Sequence, residues 1–91
     1  MRFTTARLCG GKALMAISAE PLDLDLNKAA AVLKKEGCEI KEQDELVLVY
    51  RWNGMEVTLY PLGKVMYMPL SDRAVCISYA TALLERLRQE C

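Results

Sequence analysis

An α+β fold, an antiparallel sheet carrying two helices on one face, is what this sequence predicts, and three observations predict it. Runs rich in Val, Leu, Tyr and Met follow one another between turn signals from Leu46 to Pro69. A long amphipathic pattern comes directly after them. A second, shorter helical pattern lies upstream, so the expected order is β-α-β-β-β-β-α.

Residues 1–11 are expected to be a flexible N-terminal segment, and residues 12–91 a single domain. Cys9-Gly10-Gly11 reads as a joint, because no GxxxxGK[ST] pattern of a phosphate loop follows it. Ala13 to Ala19 is an apolar run of strand length, closed by Glu20-Pro21. Asp23 or Asp25 is placed to cap the first helix, whose buried stripe is Ala29, Ala30 and Leu33, with Val32 beside it. Lys34 and Lys35 suit its last turn, and Gly37 can take the left-handed conformation that stops it. In the polar segment Cys38 to Glu45, the first half, around Ile40, reads as an edge strand and the second half as a turn.

Leu46 to Trp52 is the next run, and Asn53-Gly54 joins it to the run at 55–60 as a two-residue type I′ turn, in which both positions have φ > 0. Pro61-Leu62-Gly63 then turns the chain into the run at 64–69, which Pro69 ends. Ser71 stands where an N-cap hydroxyl belongs. Cys76, Tyr79, Ala80, Leu83, Leu84 and Leu87 recur at three- and four-residue spacing, so the last helix packs that face on the sheet.

Twelve basic and twelve acidic residues give zero formal charge, which removes the commonest signal of a nucleic-acid-binding domain, a strong excess of Lys and Arg. No apolar run is long enough for a membrane span, and no signal-peptide pattern opens the chain, so no membrane association and a cytoplasmic location are expected. Cys9, Cys38, Cys76 and Cys91 form no CxxC pair. They read as free thiols, with Cys76 in the core and Cys91 at a frayed end. Histidine is absent. No metal site or cofactor is therefore expected, and a general base would have to be a carboxylate or a thiolate. The sequence reads as that of a non-enzyme.

The segment VTLYPLGKVMYMPLSDRAVCISYATALL, with Val57, Leu59, Tyr60, Gly63, Lys64, Ser71, Ala74, Tyr79 and Ala80 in register, resembles the hairpin, Gly-Lys turn and long helix closing one repeat of the TATA-box-binding-protein core. Leu24-Asp25-Leu26 resembles the LDL segment at the start of that repeat's first helix. The resemblance spans roughly residues 13–88 and implies a curved sheet whose open face can meet a minor groove. It also extends to the single-copy domains of this fold in DNA glycosylases and ribonuclease HIII. Tyr60 falls at a wedge phenylalanine, Arg51 at an arginine, and Lys64, Met66 and Met68 on a groove-lining strand. Glu45 stands where the other wedge would be, and Glu39, Glu42 and Asp44 lie where the family is basic.

Independently of that resemblance, period-2 alternation turns Leu46, Leu48, Tyr50, Trp52, Val57, Leu59, Val65 and Tyr67 toward the helices. Val47, Val49, Arg51, Glu56, Thr58, Tyr60, Lys64, Met66 and Met68 then face outward. An apolar patch of several hundred Å² is the scale that marks an interaction site. The candidate surface is thus Val47, Val49, Arg51, Thr58, Tyr60, Lys64, Met66 and Met68. Its expected use is self-association, as a homodimer, or protein binding; nucleic-acid binding is the alternative.

Overall fold

The computed structural model describes residues 2–90. It is α+β, with six strands in one antiparallel sheet and two helices. Strands β1 (Phe3–Leu8) and β2 (Ala13–Ser18) precede helix α1 (Leu26–Lys35); β3 (Glu39–Gln43), β4 (Leu48–Trp52), β5 (Met55–Leu59) and β6 (Lys64–Met68) follow, and α2 (Arg73–Glu90) ends the chain. The spatial order is β1-β2-β6-β5-β4-β3. From β2 onward the element order is the expected one. The N-terminal residues depart from expectation: residues 3–8 form an edge strand rather than a loose segment, paired along their whole length with β2, Phe3 opposite Ser18 and Leu8 opposite Ala13. The sequence gives little notice of it, because FTTARL has no continuous apolar side.

Both helices bury their apolar stripes against the same side of the sheet. Leu26, Ala29, Ala30 and Leu33 of α1, and Cys76, Ala80, Leu83, Leu84 and Leu87 of α2, join Leu14, Ala16, Leu48, Tyr50, Val57, Leu59, Val65 and Tyr67 in one core. Side-chain hydrogen bonds fasten the helices to the sheet margins. Gln43 Nε2 donates to Asn27 Oδ1 at 2.9 Å on the β3 side, and Arg73 Nε donates to Thr5 Oγ1 at 2.9 Å on the β1 side. Arg86 Nη1 meets Glu36 Oε1 at 2.7 Å, linking α2 to the end of α1.

The local turn chemistry explains the joints. Asp25 is the cap of α1, its Oδ1 accepting from the amides of Asn27 and Lys28 at 2.9 and 3.3 Å. At α2 the cap is Asp72, not Ser71: the helix starts at Arg73, and Asp72 Oδ1 accepts from the Val75 amide at 3.2 Å. A carboxylate also complements the positive end of the helix dipole, which a hydroxyl does not. Asn53 and Gly54 have φ of 53° and 75°, as a type I′ turn requires. Gly63 has φ 101°, and a Cβ there would lie 3.1 Å from Leu22 and Ser18, so the β5–β6 turn needs glycine for both conformation and space.

Leu46 corrects another expectation. It is 75% exposed, not turned to the helices. Its amide and that of Val47 donate to Asp44 Oδ1 at 2.7 and 3.0 Å, and this side-chain-closed turn holds both residues ahead of β4. The apolar run therefore enters the sheet only at Leu48.

Candidate functional site: the open sheet face

Residues directly opposite in an antiparallel ladder share a face, so the registers define what the helix-free side presents. Its central row crosses the whole sheet: Ala6, Met15, Met66, Thr58, Val49 and Glu42 stand successively opposite one another. A second row runs from Thr4 through Ile17 to Lys64. A third runs from Met68 through Glu56 and Arg51 to Glu39. The middle of this face is apolar and its flanks are charged.

Of the residues anticipated from sequence, Val49, Arg51, Thr58, Lys64, Met66 and Met68 lie in these three rows. Tyr60 follows β5, and its amide donates to the Lys64 carbonyl at 2.9 Å, which closes the hairpin and sets Tyr60 across from Lys64. Val47 stands in the Asp44 turn, beside the end of the face rather than within a strand. Thr58 is only 6% exposed although it belongs to the helix-free side. Its neighbours across the ladder, Met66 and Val49, are themselves half-buried. Arg51 and Lys64 are exposed.

Ala6, Met15 and Ile17 were absent from the anticipated set. The run ALMAIS in β2 is apolar at nearly every position, so it carries no period-2 signal from which a face can be read. The signal appears only once β2 is known to pair with β6, which puts Met15 beside Met66. The electrostatics of the face are mixed. Glu39, Glu42 and Glu56 stand on it with Arg51 and Lys64, three carboxylates against two cations.

The helix side holds the protein's other chemistry. Trp52 meets Tyr79 edge-on with ring centroids 4.8 Å apart, and Tyr67 lies 5.7 Å from Tyr79. Trp52, Ser78, Tyr79, Ala82, Glu85 and Arg86 line a groove of about 440 Å³. Cys38 and Cys76 are free thiols. Burial pushes the Cys38 thiol up, Glu36 adding to the shift and Arg86 opposing it. Burial alone pushes up Cys76. Both are therefore held protonated at neutral pH, the unreactive form. The side chain of Cys9 and all of Cys91 lie outside the described residues. Among the described residues no helix is long and apolar enough to cross a membrane.

These features define a two-layer α+β protein with a single helix-covered core and an open, apolar-centred sheet face. Comparison with known protein families, with curated proteins and with solved structures gives no match.

Proposed function

We propose that this chain is a small non-catalytic interaction module that associates through the open face of its sheet, with a second copy of itself as the occupant. The observation that carries the proposal is the central row Ala6, Met15, Met66, Thr58 and Val49, continuous across five strands. Met15, Met66 and Val49 are half-buried, so covering what remains exposed of one methionine side chain is worth only part of the about 1.5–3 kcal/mol that full burial gives. The flanks carry both signs of charge, so two copies related by a two-fold axis can set cations against carboxylates. Methionines adapt their shape, which suits an interface. Burial holds the Cys38 and Cys76 thiols protonated, so neither is poised as a nucleophile.

The order β-α-β-β-β-β-α from β2 onward also supports reading this part of the chain as a unit like one repeat of the TATA-box-binding-protein core, with β1 added at its edge. That likeness, with Arg51, Lys64 and Tyr60 at the face, favours nucleic-acid binding as the second reading. The three carboxylates of the same face weigh against it, since each repels phosphate and is costly to desolvate. Met66→Glu tests the first reading. It places a charge in the middle of the row and should halve the mass measured by light scattering. An unchanged mass, or a wild-type protein that is already monomeric, rejects the face as a self-association surface.

A further inference from the structure

The two edges of the sheet are not alike. At the β3 edge the register shifts between Ile40 and Glu42, and Glu39, Lys41 and Glu42 place charges along a short strand. Bulges and charges of this kind are how sheets block pairing with another chain. The β1 edge has no bulge and no proline, and it has one charged residue, Arg7. Among the described residues it is a regular six-residue strand with a partner on one side only.

The direction of its free backbone groups follows from two hydrogen bonds. The Ala19 amide donates to the Arg2 carbonyl at 2.9 Å, which continues the β1–β2 ladder by one pair. Hydrogen-bonded and non-hydrogen-bonded pairs alternate, so Thr4, Ala6 and Leu8 spend their amides and carbonyls on β2. The other side of β2 agrees: the Ser18 amide donates to the Gly63 carbonyl at 3.1 Å, so even-numbered residues of β2 serve β6 and odd-numbered ones serve β1. Phe3, Thr5 and Arg7 are left with their N–H and C=O groups pointing away from the sheet.

We infer that β1 pairs antiparallel with β1 of a second copy about a two-fold axis centred on Thr5. This contact uses the sheet edge and is independent of the face contact proposed above. Centring on Thr5 puts Thr5 opposite the second copy's Thr5, and Phe3 opposite the second copy's Arg7. All three outward residues then form hydrogen-bonded pairs. The register keeps Arg7 from facing another Arg7, a like-charge pairing that would oppose association. It sets the guanidinium across from an aromatic ring instead. An axis perpendicular to the sheet leaves both pairs of helices on one side and joins the two open faces through Thr4 and Ala6. A second copy is the occupant this strand fits, because its free groups and side chains are complementary to themselves in this register.

Thr5→Pro removes an outward amide while sparing the β2 ladder, and proline is tolerated on an edge strand. The expected result is a folded protein of half the wild-type mass. Thr5→Val, which deletes the hydroxyl bonded to Arg73 and keeps the amide, should retain the wild-type mass. A folded Thr5→Pro protein of wild-type mass overturns the inference. If Thr5→Pro does not fold, residue-resolved amide exchange of the wild-type protein decides. Protection of Thr5 and Arg7 at high concentration, lost on dilution while Thr4 and Ala6 stay protected, supports β1 pairing. Free exchange of Thr5 and Arg7 at every concentration overturns it. Mass halved by Met66→Glu and untouched by Thr5→Pro sinks the edge contact alone, and the reverse sinks the face contact alone.

Discussion

Tyr50 and Tyr67 are the largest side chains wholly inside the core, and their phenols give the protein a pH limit. Burial pushes both well above the ordinary value of 10.0, Cys38 adding to the shift at Tyr50 and Tyr50 adding to it at Tyr67. In the unfolded chain these phenols ionise near 10, whereas in the folded protein they hold their protons. The unfolded state then binds fewer protons, and stability falls as pH rises. The Cys38 and Cys76 thiols, also pushed up by burial, act in the same direction from about pH 8.5, so stability should be level near neutral pH, begin to fall above about 8.5 and fall more steeply above about 10. Urea midpoints measured from pH 7 to 11 check this. A midpoint unchanged at pH 11 would mean that the phenols do not resist ionisation.

At the scale of elements, caps and edges matter more than propensity. α1 is short, and a helix of this length has little stability without tertiary packing and a cap. Asp25→Ala removes the acceptor for two amides and should cost about 1 kcal/mol, read as a lower urea midpoint at unchanged slope. Asp23→Ala, on the neighbouring carboxylate that caps nothing, serves as the control and should leave the midpoint in place. The elements that sequence revealed were those with a strong local pattern. The β4–β5–β6 meander was legible from Asn53-Gly54 and Pro61-Leu62-Gly63, and α2 from its apolar spacing. β1 was not, because FTTARL is held by pairing with a distant strand rather than by its own periodicity. Leu46 was misplaced for a related reason: a carboxylate two residues upstream closes a turn there, which hydropathy does not register. Ser71 and Asp72 are both good capping residues, and only the observed start of α2 distinguishes them.

For the molecule as a whole, the decisive feature is that two helices cover one side of a six-stranded sheet and leave the other side open. The part of the candidate surface contributed by β4, β5 and β6 was legible through alternation. Met15 and Ile17 were not, since a uniformly apolar strand acquires a face only from its neighbours, and Ala6 was not, since β1 is defined by its pairing with β2. Methionines happen to report on both sides: Met15, Met66 and Met68 stand on the open face, whereas Met55 is buried with the core. The most direct measurement is therefore a dilution series followed by methionine-methyl NMR. Association through the open face predicts that the Met15 and Met66 methyl signals shift with concentration while that of Met55 stays fixed. Signals of Met15 and Met66 that are independent of concentration, in a protein whose mass shows it to be associated, would contradict the central claim.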